Sequence, residues 1–298
     1  MSDGKAPVLI TGAGGLLGRC LVERLTGQGR EVIGLAHAEL DITRHDDVAR
    51  RIQSINPAAV INAAATTDVD RCETDPKWAY AVNEAGPRYL ASECEAIGAQ
   101  FVHIGTDYVF SGDKEGFYTQ DDAPNPSGVY AQSKLAGERA ALEETDRCYI
   151  VRSSWIFGLG GKNFGSKVLN YARAGARLKG VIDQTSIPTY APDLAARIIT
   201  IIEREVYGLY HVTNSGTATW FEFARMALDL AGMSEVEIEP VKRADLNQAA
   251  PRPRNSAMRC LMSERLGLAP LRRWSEALEE FVREEALVES NPNPAQAP

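Results

Sequence analysis

Several things are scarce in this chain, and each scarcity removes a class of function. Cysteine occurs five times, at Cys20, Cys72, Cys94, Cys148 and Cys260, an odd and scattered set with no C-x-x-C pair. That spacing suggests neither a disulfide framework nor a zinc site, and buried thiols are the expectation. The four histidines, His37, His45, His103 and His211, form no ligand cluster, so no metal is assigned. No basic tract breaks a balance of 32 Lys and Arg against 40 Asp and Glu, a net charge of -8, which argues against nucleic acid. No apolar run approaches the roughly 20 residues of a membrane span, and Met1-Ser2-Asp3-Gly4-Lys5 leads towards a strand without a signal-peptide pattern. A cytoplasmic protein without a membrane partner is expected.

What is present begins with glycine. Val8-Leu9-Ile10-Thr11 is followed by Gly12-Ala13-Gly14-Gly15-Leu16-Leu17-Gly18, then by Leu21, Val22 and Leu25 at helical spacing. This reads as strand, tight turn and helix. Glycines let the backbone approach a pyrophosphate, and the helix start offers unpaired N–H donors and a positive dipole end, so a dinucleotide is the expected ligand. The spacing Gly12, Gly15, Gly18 differs from G-x-G-x-x-G, whose third glycine would fall at Leu17.

Tyr130 and Lys134 stand four apart, on one face of a helix. A free phenol has a pKa of about 10, and a neighbouring ammonium lowers it. The pair is therefore a candidate acid for protonating an alkoxide formed on a ketone, with an ordinary solvated helix face as the bland alternative.

Between these motifs, strands at residues 31–35, 59–62, 101–104 and 148–152 alternate with helices at 46–54, 78–97 and 130–144. Alternation of that length predicts an α/β fold, a doubly wound parallel sheet of Rossmann type, with the ligand at the strand C-terminal ends. The dinucleotide domain is expected over residues 5–155, joined again by segments near 190–213. A smaller C-terminal lobe for substrate is expected over 156–189 and 214–286, with helices at 163–174, 220–231 and 275–285 and a turn at 183–188. Residues 287–298 read as a disordered tail.

Taken in order, these runs resemble the dTDP-4-dehydrorhamnose reductases among the extended short-chain dehydrogenase/reductases. Further matching runs are Leu40-Asp41-Ile42-Thr43, Asn62-Ala63-Ala64-Ala65, Thr106-Asp107-Tyr108-Val109-Phe110, Ser154-Trp155, Thr219-Trp220, and Arg252-Pro253 with Asn255-Ser256. The resemblance implies that NADPH or NADH passes hydride to C4 of a 4-keto-6-deoxyhexose on a nucleoside diphosphate, dTDP-4-dehydro-β-L-rhamnose first among them. It places Tyr130 as proton donor, Lys134 as the group that lowers the Tyr130 pKa and holds the nicotinamide ribose, and Thr106 as a hydrogen-bond partner of the sugar oxygen.

The same resemblance assigns Gly12, Gly14, Gly15, Leu16, Leu17, Gly18, Asp41, Ile42, Ala63, Ala64 and Ala65 to the dinucleotide. It assigns Thr106, Asp107, Trp155 and Arg252 to substrate, whereas Trp220 and Phe221 read as core. Four departures stand out. Leu35-Ala36 lacks the acid that would repel a 2′-phosphate, which permits NADPH; Cys20 replaces a glutamate associated with a magnesium-bridged homodimer; Gly105 replaces a serine; and Thr66 replaces an aromatic residue. Two alternatives remain open: a reductase of another nucleotide 4-keto sugar, and a dinucleotide-binding regulatory subunit like that of methionine adenosyltransferase.

Overall fold

The computed structural model describes residues 6–161 and 163–290. Six parallel strands, β1 (Val8–Thr11), β2 (Val32–Leu35), β3 (Ala59–Asn62), β4 (Gln100–Thr106), β5 (Cys148–Ser153) and β6 (Gly208–His211), lie in the order β6-β5-β4-β3-β1-β2. The α/β expectation is met. Strands β1 and β3 are buried at every position, as sheets covered on both faces require. Because β1 pairs with β2 on one side and β3 on the other, the connections diverge there and open a crevice above the strand ends.

On one face α1 (Leu16–Gly27) packs Leu17, Leu21 and Leu25 against Leu194, Ile198 and Ile201 of the helix Ala191–Glu203. The other face carries α2 (His45–Ile55), α3 (Gly86–Ile97) and α4 (Val129–Glu144), which bury Val48, Ile52, Leu90, Cys94 and Ala141. Each of the Val, Leu and Ile side chains contributes about 1.5–3 kcal/mol by leaving water.

The helix expected over 78–97 is divided into Pro76–Tyr80, a π-helical stretch Ala81–Ala85, and α3. Pro87 explains this, since a proline has no N–H for the carbonyl of residue 83 and its ring clashes with that oxygen. The widened turn moves the Asn83 carbonyl against α4, where a Cβ on Gly137 would collide with it.

The lobe closes around Phe157, Leu169, Tyr190, Phe223, Trp274 and Phe281. It is built from Phe164–Arg173, Trp220–Leu230 and Trp274–Ser290, with a short strand, Thr185–Ser186, inside what was read as a turn and paired antiparallel with Ala218–Thr219. The tail expected from residue 287 is corrected in its first part: Glu284-Glu285-Ala286-Leu287 continue the last helix, which runs to Ser290. Good helix formers there outweigh the polar composition of the tail. The rest of that tail lies outside the described residues.

Candidate active site

The ends of β1, β3, β4 and β5 open on one cleft of about 630 Å³. At the end of β1, Gly12 has φ 67°, and a Cβ there would lie 2.6 Å from the Ala64 amide nitrogen. A Cβ on Gly18 would collide with the Gly12 carbonyl. These two glycines shape the turn, whereas Gly14, Gly15, Leu16 and Leu17 line the cleft. The N-cap of α1, Gly15, provides no side-chain cap, so the first-turn amides lack a side-chain acceptor and suit a phosphate oxygen. Below them Asn62 Oδ1 accepts from Thr11 Oγ1 at 2.7 Å and from the Ala64 amide at 3.2 Å, and Asn62 Nδ2 lies 3.2 Å from His103 Nδ1. Burial holds His103 neutral, its pKa well below the usual value.

Tyr130 sits in the first turn of α4, which is aligned by Val129 N donating to Glu73 Oε1 at 2.7 Å and Asn83 Nδ2 donating to Ser133 Oγ at 3.1 Å. Burial pushes the phenol above its ordinary value, and the Thr106 hydroxyl works against that rise. Lys134, expected to lower it, directs its ammonium at the neighbouring strand. Lys134 Nζ donates to the Ile104 carbonyl at 2.6 Å, and burial brings its own pKa down to about 8 while Glu138 opposes. The phenol therefore keeps its proton near neutrality, as a donor must. Tyr108 packs edge-on against Tyr130 at 5.8 Å.

Thr106 Oγ1 lies 3.2 Å from Asp107 Oδ1 and accepts from the Tyr108 amide at 3.3 Å. Asp107 is 2% exposed, and its Oδ2 accepts from Ser186 Oγ and Ser256 Oγ. Behind Thr106, Glu138 and Arg152 form a buried ion pair, with Arg152 Nη2 2.7 Å from Glu138 Oε2. A Cβ on Gly105 would collide with Glu138 Oε1, which accounts for glycine where a serine was anticipated.

Trp155 follows β5 with φ 43° and stacks on Trp220 at 3.6 Å. Trp220 Nε1 donates to Gln184 Oε1 at 3.2 Å, and Gln184 Nε2 donates to Tyr108 OH at 3.4 Å. Trp220 is thus a cleft residue and not simply core. The signal was present in Thr219 and Glu222, a capping box that fixes where the helix begins and so where its first side chain projects. Tyr108, Gln184 and Arg19 were also not assigned beforehand; no spacing distinguishes them.

Ala63, Ala65, Thr106, Asp107, Tyr130, Lys134 and Trp155 meet in this cleft with the glycine turn. Besides Gly12 and Gly18, which shape the turn, four assignments fall outside its lining. Ile42 is 3% exposed in the core, and Ala64 packs against the same cluster. Asp41 spends its carboxylate on Thr43, from whose amide it accepts at 3.0 Å. Arg252 is engaged by Asp70 at 2.8 Å rather than free to fork onto a diphosphate. Nor is the end of β2 without acid: the turn after it folds back so that Glu39 Oε2 accepts from the Ala36 amide at 2.8 Å.

The chain is 37% identical over 278 residues to a dTDP-4-dehydrorhamnose reductase of Mycolicibacterium smegmatis, covering 92% of this chain and 84% of that one. The model of the RmlD substrate binding domain matches residues 6–287. This chain belongs to the dTDP-4-dehydrorhamnose reductase family. Within the same family, a Bacillus anthracis dTDP-4-dehydrorhamnose reductase solved in complex with NADP superposes with a TM-score of 0.91 at 37% identity, covering 94% of this chain and 99% of that one. The spore coat polysaccharide biosynthesis protein SpsK of Bacillus subtilis is 39% identical over 277 residues, with 93% of this chain and 97% of that one covered. Among the described residues, no helix is long and apolar enough to cross a membrane, and no group of three or more His, Cys, Asp or Glu could hold a metal.

Proposed function

We propose that this family member reduces the C4 keto group of dTDP-4-dehydro-β-L-rhamnose to give dTDP-L-rhamnose, with NADPH or NADH as hydride donor. The observation that carries this reading is the convergence of Tyr130, Lys134 and Thr106 with the glycine turn in one cleft. The residues present fit a dinucleotide: the uncapped first turn of α1 suits its diphosphate, and Ala63 and Ala65 leave backbone-close space beside it. The fit extends to the sugar. Ser153 Oγ and Trp155 Nε1 are buried polar atoms of the cleft without a hydrogen-bond partner among the described residues, and such atoms call for a ligand.

The nicotinamide supplies the hydride when bound. Tyr130 then breaks its O–H bond and delivers the proton to the C4 oxygen; Lys134, with a pKa brought to about 8, balances the phenolate left behind. Trp155 and Trp220, stacked from the two lobes, present an indole face and an N–H to the hexose.

The test is NADPH oxidation against a panel of 4-keto nucleotide sugars, with the parent, Tyr130→Phe and Lys134→Met. Parent turnover on the dTDP sugar is expected, with kcat lowered about 10²–10⁴-fold by Tyr130→Phe at nearly unchanged cofactor Kd. Lys134→Met should weaken cofactor binding as well. A parent inactive on every 4-keto sugar, or a Tyr130→Phe form that keeps most of the rate, overturns the reading.

A further inference from the structure

Thr106 has one hydroxyl proton and two lone pairs. One lone pair accepts from the Tyr108 amide at 3.3 Å, and the proton faces Asp107 Oδ1 at 3.2 Å. Ionised Asp107 can only accept, so while it is ionised Thr106 donates to it. Asp107 Oδ2 meanwhile receives two more hydroxyls, both from beyond the dinucleotide sheet: Ser186 on the short lobe strand and Ser256 on the segment after Arg252. One carboxylate therefore joins the end of β4, two lobe segments and the hydroxyl beside the candidate acid.

We propose that Asp107 is a positioning residue for the reduction: it holds the Thr106 proton and so fixes the hydroxyl that stands beside Tyr130, and it ties that orientation to the lobe through Ser186 and Ser256. This rests on the reductase reading, and it alters one element of the resemblance, because Thr106 cannot donate to the sugar oxygen while Asp107 holds its proton. Tyr130 alone then gives up a proton, and none passes through Asp107.

Protonated Asp107 would donate to Thr106 or release it, and the orientation would be lost. Burial raises Asp107 from 3.8 to about 6, against the pull of the Ser256, Ser186 and Thr106 hydroxyls. The groups facing it are Tyr108 beside it and Tyr130 on α4, both protonated at neutral pH. The charged groups of the packed elements have partners of their own: Lys134 on the Ile104 carbonyl, Glu138 on Arg152, and Arg252 on Asp70. The activity should accordingly have an acid limb near pH 6 that belongs to Asp107, apart from the Lys134 titration at about 8.

The experiment follows kcat from pH 5 to 9 for the parent, Ser186→Ala, Ser256→Ala and Asp107→Asn, with NADPH Kd by fluorescence as a check on folding. Each serine variant removes one donor to the carboxylate, so its acid limb should move up by about one pH unit. Asp107→Asn should lose the limb and lower kcat about 10–100-fold, with NADPH Kd within about twofold of the parent. A purely structural role would lower activity without moving the limb. Acid limbs unmoved in both serine variants, or an Asp107→Asn form with the parent's limb and rate, overturn the proposal. Infrared titration of the resting protein separates the two readings: a buried carboxyl titrating near 6 in the parent, higher in Ser256→Ala and missing in Asp107→Asn supports the Asp107 network even if no sugar is reduced, and the lack of that signal refutes it.

Discussion

Glu138→Gln should be among the most destabilising isosteric changes in this protein. The two side chains of the Arg152–Glu138 pair are 4% and 3% exposed, and three contacts join them, at 3.1, 3.0 and 2.7 Å. The substitution keeps the shape but leaves the Arg152 guanidinium buried without its counter-charge, which costs about 3–5 kcal/mol. Against a total stability of about 5–15 kcal/mol, that is a large share. Replacing both residues, Glu138→Leu with Arg152→Leu, removes the orphaned charge together with its partner and should come within about 2 kcal/mol of the parent. The pair also reaches the active site, because Glu138 opposes the burial that lowers Lys134. Both variants should therefore lower the Lys134 pKa further and shift the alkaline limb of kcat to lower pH. Urea unfolding followed by far-UV circular dichroism measures the first effect, and pH–rate profiles the second. A Glu138→Gln variant within about 1 kcal/mol of the parent, or a double variant as unstable as the single, would refute the reasoning.

Two further outcomes are expected. Glu39 brings a carboxylate to the end of β2, so Glu39→Gln should improve binding of 2′-phosphorylated NADPH relative to NADH, and Ala36→Asp should worsen it; Kd values for both cofactors decide, and equal ratios in all three proteins would dismiss the carboxylate. Burial lowers His211 from 6.5 to about 3 and His103 well below 6.5, so the unfolded chain binds more protons than the native one below pH 6.5. Stability present above that pH should be lost as pH falls, by about 1.4 kcal/mol per unit for each histidine and partly offset below pH 6 by Asp107; thermal midpoints from pH 7.5 to 5 check this, and His211→Gln should flatten the slope.

The fold was legible where one local signal sufficed. Strands β1 and β3 are short apolar runs buried on both faces, and the glycine turn declares itself by composition. Tyr130 and Lys134 were legible as a pair because helical spacing sets their face. Their electrostatics were not, because the Ile104 carbonyl that engages Lys134 comes from a strand 30 residues away in sequence. Arg252 shows the same limit: it was assigned to substrate, but Asp70, 182 residues distant, holds it. The Ile42 side chain went to the core below, because a motif match locates a backbone and not the direction of a side chain. Trp220 was misjudged since a tryptophan beginning an amphipathic helix looks the same whether it faces a core or a cleft.

The π-helical stretch Ala81–Ala85 has a consequence for how this chain can change in length. Removing one residue there would restore ordinary helical winding and leave the helices on either side in phase, because one extra residue is what the wider turn absorbs. The loss would fall on Asn83, which donates to the Thr66 carbonyl and to Ser133 Oγ from this widened turn. A one-residue deletion within 81–85 should therefore keep the helix faces in register and cost the buried hydrogen bonds by which Asn83 ties this turn to the segment at Thr66 and to α4.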